Sequence, residues 1–141
     1  MPKIDKYSGK REHYTTMVRP LMETDAWREI STHAQSLYVW LRLEWKGARF
    51  NNNGKIALSV RMAAKKIGVH KDTVVKSFHE LQAKGFIVQT QGAYLGVEGQ
   101  GKSPLYELTE LEMPAGNGHR FRYRDWKPGH DFPIKKSSRP K

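Results

Sequence analysis

The sequence contains no cysteine, no long apolar run and comparatively few acidic residues. Without cysteine, a disulfide framework and a metal site built on thiolates are both excluded. No apolar run approaches the roughly 20 residues that cross a bilayer, and the N-terminal stretch 1–12 lacks the apolar region of a signal peptide. We therefore expect a cytoplasmic protein with no membrane partner.

Positive charge is what the sequence has in excess: 25 Lys and Arg stand against 14 Asp and Glu, a formal net charge of +11. This excess favours a polyanion as partner, with nucleic acid first and an anionic membrane surface second. Residues 59–85 carry six basic and two acidic side chains, and residues 114–141 carry eight and two. A basic block can equally be a solvated surface, so charge alone does not decide the function.

The length of 141 residues suits one domain with a modest core and two tails. We expect a flexible N-terminal arm over residues 1–22 and a folded domain over residues 23–113. Residues 114–141 combine proline and glycine with dense basic charge, which predicts a tail.

Two helices are predicted in the first third of the chain. The stretch METDAWREIS (22–31) indicates a short helix with Thr24 as its N-cap. A longer helix is expected from about residue 32 to residue 45, where apolar side chains recur along one helical face. Trp40 and Leu43 lie off that face. They indicate either burial on a second side or the contact surface of a homodimer, and both interpretations stay open.

A pair of helices separated by a very short break follows. Ser59 predicts the N-cap of the first and Gly68 its end, because glycine tolerates a left-handed backbone. The second helix is expected from about residue 71 to residue 84. Small Ala64 lets the helices pass closely, and branched Val74 fills the crossing. This spacing is typical of a helix-turn-helix motif, which exposes the N-terminal end of its second helix to the major groove of DNA.

Strands are predicted on both sides of this pair. Asn53 and Gly54 signal a turn before a short strand, and residues 86–91 and 104–110 form a hairpin across a glycine-rich connection. The order helix, strand, helix, helix, strand, strand is that of a winged helix. The predicted fold class is α+β: a three-helix helix-turn-helix core with a β-hairpin wing, an extra N-terminal helix and a basic C-terminal tail.

The stretch AAKKIGVHKDTVVKSFHELQAKGFIV (63–88) resembles the pattern LAxxLGVSxxTVxxALxxLxxxGLI of bacterial winged helix-turn-helix proteins, including the DNA-binding domains of GntR- and MarR-type regulators. Over residues 23–110 the chain also resembles small helix-turn-helix proteins of bacterial chromosomes, plasmids and integrative elements. The resemblance implies a winged-helix fold and duplex DNA as partner. Two positions depart from it: His70 replaces the usual N-cap Ser, and Val75 stands where relatives often carry an Arg directed at phosphates.

The candidate contacts come from the two helices, the wing and the tail. Side chains at the exposed N-terminal end of the second helix reach base edges, and basic residues of the preceding helix suit phosphates. For each lysine the alternative is a solvated surface charge, and Ser59 is equally well explained as a cap alone. The candidate DNA-binding residues are Ser59, Arg61, Lys65, His70, Lys71, Asp72, Thr73, Lys76, His79, Tyr94, Lys102, Arg120, Arg122 and Arg124.

The tail carries an alternating pattern. Arg120, Arg122 and Arg124 alternate with Phe121 and Tyr123, which in an extended chain places arginines on one side and aromatic rings on the other. We expect the rings to dock against the domain. The arginines and the final KKSSRPK would then be presented to the backbone or minor groove of DNA.

The expected function is sequence-specific binding of double-stranded DNA, by a nucleoid-associated regulator of transcription or a replication or excision factor of a mobile element. Structured RNA as the partner, and an adaptor that binds only proteins, remain alternatives. We do not expect an enzyme, because the carboxylates are scattered, or a metal site, because His70 and His79 lie on different helical faces. We expect no cofactor, and no small-molecule effector, because the sequence shows no second domain to hold one. GVEGQGKS (96–103) matches the Walker A spacing, but Pro104 and a strand follow it where that loop needs a helix.

Overall fold

The computed structural model describes residues 12–92, 94–95, 101–116 and 118–136. This part of the chain is mixed α+β, as predicted at that coarse level, and none of its helices is long and apolar enough to span a bilayer. The helices are α1 (Arg19–Met22), α2 (Asp25–Glu29), α3 (Thr32–Glu44), α4 (Val60–Ile67), α5 (Lys71–Ala83) and α6 (Arg122–Asp125); the strands are β1 (Ile56–Ala57), β2 (Ile87–Gln91), β3 (Tyr94–Leu95), β4 (Gly101–Lys102) and β5 (Leu105–Leu108).

Side-chain caps set where the helices begin. The Thr24 hydroxyl accepts a hydrogen bond from the backbone N–H of Trp27 at 3.2 Å, and Ser59 Oγ accepts one from the N–H of Met62 at 3.1 Å. Both caps were predicted and both are confirmed. Each satisfies a backbone donor that has no partner inside its helix.

The core lies between α3, α5 and the sheet. The predicted apolar face of α3 is confirmed, since Leu37, Tyr38 and Leu41 are fully buried. The Tyr38 ring meets Trp27 and Phe86 edge-to-face, with centroids 5.7 Å away in both cases. Aromatic rings in this arrangement add attraction beyond the burial of their area.

The main sheet has three antiparallel strands in the order β1-β5-β2. Ile56 lies opposite Tyr106 and Ile87 lies opposite Leu108 in the register. The predicted pairing of the last two strands is thereby confirmed. β3 and β4 form a separate two-stranded sheet, and residues 96–100 between them lie outside the described residues.

A buried asparagine joins the loop before β1 to the end of β5. The Asn53 amide donates to the carbonyls of Leu108 and Leu111, both at 3.0 Å, and its oxygen accepts from the Leu108 N–H at 2.8 Å. Gly54, beside it, takes a positive φ of 93°. The predicted turn is therefore confirmed, and its first residue also links two distant segments.

A buried ion pair ties the start of the described chain to the core. Arg42 Nη1 lies 2.6 Å from Glu110 Oε1, and both side chains are almost fully buried. The Tyr38 hydroxyl donates to the same carboxylate, and Arg42 Nε donates to the Thr15 hydroxyl at 3.2 Å. Burial, followed by the Glu110 charge, raises the pKa of Tyr38 well above its ordinary value. Within the predicted N-terminal arm, Leu21 of α1 is also buried.

Residues 118–136 are packed against the domain. The expectation of an extended, alternating segment is wrong: Phe121 adopts a left-handed backbone with φ 46°, and Arg122–Asp125 form a helical turn. The turn buries Tyr123, which stacks on Phe86 at 5.0 Å, and Trp126 is buried beside it. The docking of the aromatic rings is confirmed. Because large aromatic side chains gain most from leaving water, their burial determines the path of the chain here.

Candidate nucleic-acid interface

The break between α4 and α5 is built from a glycine and a histidine. Gly68 takes the left-handed conformation (φ 82°, ψ 37°), and its N–H donates to the Ala64 carbonyl at 2.8 Å. His70 caps α5, because its Nδ1 accepts a hydrogen bond from the Asp72 N–H at 3.1 Å. α5 therefore starts directly after the turn.

α5 has one buried and one exposed face. The helical spacing of Val74, Phe78 and Leu81 predicts that they share one inward face, and all three are buried. Lys71 and Asp72 are exposed at the N-terminal end of the helix.

Further along the same exposed face, Lys76 is exposed, whereas Thr73 and His79 are half-buried. The helical spacing that turns Asp72, Lys76 and His79 outward also predicts an exposed Ala83. That prediction is wrong: Ala83 is buried, and its carbonyl accepts a hydrogen bond at 2.8 Å from the N–H of Phe132, in the C-terminal segment 131–136.

The lysines and arginines of this surface carry charge without a counterion. Among the residues that the structure describes, Arg61 and Lys65 of α4 and Lys71 and Lys76 of α5 form no salt bridge. Their charges are accordingly available to an external anion. Ser59 differs, because its hydroxyl is occupied as a cap.

Trp40 lies beneath α4. It is half-buried against the core, and Lys66 Nζ lies 5.0 Å from the centre of its ring. Leu43 is half-buried as well. The contact with Lys66 accounts for Trp40 within one chain, and the homodimer stays a prediction.

A groove of about 580 Å³ runs along one side of α5, between its exposed and its buried face. Its floor is apolar and includes Phe78, whose ring stacks on that of Tyr106 at 5.0 Å. Burial raises the pKa of Tyr106 to about 12, so this hydroxyl stays neutral at ordinary pH. The polar lining residues are Lys71, Asp72, His79, Gln82, Lys135 and Lys136.

The pKa of His79 depends on the charges that line the groove. Burial, followed by the positive charge of Lys136, lowers the pKa of its imidazole from the ordinary value. An anion in the groove would offset the second cause. The imidazole would then take up a proton more readily when such an anion is bound.

The three tail arginines each contact a side chain of the protein. Arg120 Nε lies 3.1 Å from Glu107 Oε2, Arg122 stacks on the Phe132 ring at 4.4 Å, and Arg124 stacks on the Phe121 ring at 3.8 Å. The row of arginines on one side of an extended chain is therefore replaced by three separate contacts. Arg120 and Arg124 remain exposed to solvent.

The wing candidates lie opposite each other. Tyr94 of β3 is in register with Lys102 of β4. The Walker-like stretch is only partly described: its Gly101 and Lys102 form a strand, and Pro104 leads into β5 rather than into a helix. In the described ranges no three His, Asp or Glu side chains group together as metal ligands would.

Gln82 was not predicted as a functional residue, yet it lines the groove together with Lys71. Lys135 and Lys136, which also line it, were predicted only as the start of the basic stretch KKSSRPK (135–141), and nothing in that stretch indicates that they pack along α5. Comparison of the chain with family models, with curated proteins and with solved structures gave no match. The function is consequently argued from the geometry and charge of this surface.

Proposed function

We propose that the protein is a sequence-specific double-stranded DNA-binding protein of the winged-helix class, with α5 as its recognition helix. The observation that carries the proposal is the exposed N-terminal end of α5. Lys71 and Lys76 are exposed on α5 and form no salt bridge among the described residues. The same holds for Arg61 and Lys65 of the preceding helix, α4. The sheet order β1-β5-β2 and the β3–β4 pair are consistent with the core and wing of that class.

The dimensions of the helix suit duplex DNA. An α-helix with its side chains is about 10–12 Å across, and the major groove is about 12 Å wide. The N-terminal end of a helix also carries partial positive charge, which favours an approaching phosphate. α5 adds lysines to that end.

The residues divide by role. We assign Lys71 and Thr73 to base edges, because they stand at the first turn of α5. Arg61, Lys65 and Lys76 are assigned to phosphates, which set orientation without reading sequence. His70 acts as the cap that begins the helix. The biological role, regulation of transcription or replication or excision of a mobile element, is proposed on the resemblance of residues 23–110.

Binding to a fluorescent duplex, followed by anisotropy over a range of salt, tests this function. If about four to six phosphates are neutralised, log K should fall against log[salt] with a slope of roughly −4 to −5. Replacing Lys71 and Lys76 together by alanine should weaken binding and flatten the slope.

Lys127→Ala is the matched control. Lys127 is exposed and follows Trp126, and the Trp126 ring lies 4.7 Å from Nζ of Lys84, the residue after α5. Lys127 therefore follows a residue that contacts the C-terminal end of α5, and the 13 residues from Lys71 to Ala83 span about 20 Å of helix. A salt-independent affinity, or tighter binding to a structured RNA than to duplex DNA, would contradict the proposal.

A further inference from the structure

The C-terminal segment 131–136 is fastened to α5 by one buried amide. Gln82 Nε2 donates to the Lys135 carbonyl at 3.1 Å, and Gln82 Oε1 accepts from the Lys135 N–H at 2.9 Å. The side chain thereby pairs with the backbone as a neighbouring strand would. Gln82 is only 4% exposed, so water competes little for these bonds.

A second group of contacts anchors the start of the segment at the C-terminal end of α5. Asp131 Oδ1 lies 2.7 Å from Lys84 Nζ and accepts from the Trp126 indole at 2.8 Å. The hydrogen bond from Lys84, followed by that from Trp126, lowers the pKa of Asp131. Phe132 is bonded to Ala83, Lys135 is paired with Gln82, and Lys136 lies near His79. The segment therefore runs back along α5 toward its N-terminal end.

This path places positive charge on both sides of the groove. Lys71 lines it from α5, and Lys135 and Lys136 line it from the C-terminal segment. Among the described residues of the lining, Asp72 is the one acidic side chain, and its carboxylate lies 3.5 Å from His70 Nδ1. Three cations against one carboxylate make the groove complementary to a chain of negative charge.

We propose that this groove is the path of a phosphodiester strand, and that Gln82 is the residue that positions its second cationic wall. The inference rests on the proposed function and adds a contact that the recognition helix alone does not provide. Lys135 and Lys136 bind phosphates and therefore raise the affinity for all sequences alike. Gln82 is a positioning residue, because it acts through the backbone of Lys135.

The test compares Gln82→Ala, the double variant Lys135→Ala/Lys136→Ala and the combination of all three, with Lys127→Ala as control. Losing two phosphate contacts should reduce the salt slope by about two and the affinity at moderate salt on the order of tenfold. Gln82→Ala should give part of both effects. In the double-lysine background, Gln82→Ala should change neither the affinity nor the slope further.

Several outcomes overturn the inference. If the wild-type protein binds duplex DNA and all variants keep its salt slope, the groove is not the path, although the proposed function stands. If Gln82→Ala weakens binding equally with and without the two lysines, its role is structural only. If a polyglutamate peptide displaces DNA with the same dependence on Gln82, the occupant is not specifically a nucleic acid. Absence of any binding to duplex DNA rejects the inference together with the proposed function.

Discussion

Glu107 is a carboxylate that the fold holds in an unfavourable environment. Its side chain is almost fully buried, and Arg120 Nε lies 3.1 Å from its Oε2 in an ion pair without hydrogen-bond geometry. Burial raises the pKa of Glu107, and the charges of Arg120 and Arg122 only partly oppose that rise. Folding therefore favours the neutral carboxyl of Glu107 over the charged form more than the unfolded chain does.

The pH dependence of stability follows from this pKa. Because the folded-state pKa lies above the unfolded one, the stabilisation is complete below the unfolded pKa and is lost as the pH rises through the folded pKa. Glu107→Gln stays neutral, so its melting temperature should rise relative to that of the wild type as the pH increases from below the ordinary pKa of a glutamate through the raised pKa of Glu107. Thermal unfolding at several pH values measures this difference. A constant difference at every pH would contradict the expectation.

Lys71 and Thr73 are the residues assigned to base edges. Replacing both by alanine should remove discrimination between a selected duplex and a scrambled one, a good bidentate base contact being worth about 1–3 kcal/mol. Lys76→Ala should instead weaken binding to both duplexes by the same factor. As an exposed change, it should alter the free energy of unfolding by less than about 0.5 kcal/mol. Competition binding with the two duplexes measures the ratio, and retained discrimination in the Lys71/Thr73 variant would refute the assignment.

At the scale of elements, two glycines have nearly equal φ angles but very different surroundings. Gly68 after α4 has φ 82° and Gly85 after α5 has φ 84°. A Cβ at position 68 would meet nothing within 4 Å, whereas one at position 85 would lie 2.7 Å from the Phe132 ring and 2.8 Å from the backbone carbon of Arg122. Gly85 is thus required by the close approach of the C-terminal segment as well as by its own conformation.

These glycines form a matched pair for mutagenesis. Gly68→Ala should lose only the conformational term, about 1–2 kcal/mol for a left-handed residue. Gly85→Ala should lose more, because backbone and ring must also shift. Chemical denaturation of both variants measures the two losses. Equal losses would show that the segment does not pack against Gly85 in solution.

At the scale of the whole molecule, the stretch 118–136 contributes two aromatic side chains to the hydrophobic core. Deleting residues 119–141 removes Tyr123 and Trp126, which are 2% and 6% exposed, and should prevent stable folding. Lys127→Ala, an exposed change within the deleted stretch, should leave the melting temperature unchanged. Circular dichroism on the truncation and on this variant measures the difference. A folded protein lacking residues 119–141 would contradict the packing of α6.

Local signals in the sequence predicted the elements of this molecule well. Ser59 and Gly68 mark the ends of α4 through short-range hydrogen bonding and backbone preference, and the face of α3 follows from helical periodicity. The position of the C-terminal segment was not predictable in this way. Gln82 and Lys135 are 53 residues apart, and no periodic pattern connects a buried amide to the backbone that it pairs with. The burial of Ala83 was missed for the same reason.

The Asn53 amide has a consequence for the order in which the chain folds. Its hydrogen-bond partners Leu108 and Leu111 lie 55 and 58 positions further along the sequence, and the Arg42–Glu110 ion pair joins residues that are 68 positions apart. Closing such long loops costs entropy before any contact compensates for it, whereas α4 and α5 meet across a short turn. We expect the helical pair to assemble first and the sheet to close around Asn53 in the slow step. If the sheet has closed by the rate-limiting barrier, Asn53→Ala should slow refolding. If the sheet closes after that barrier, the substitution should instead accelerate unfolding.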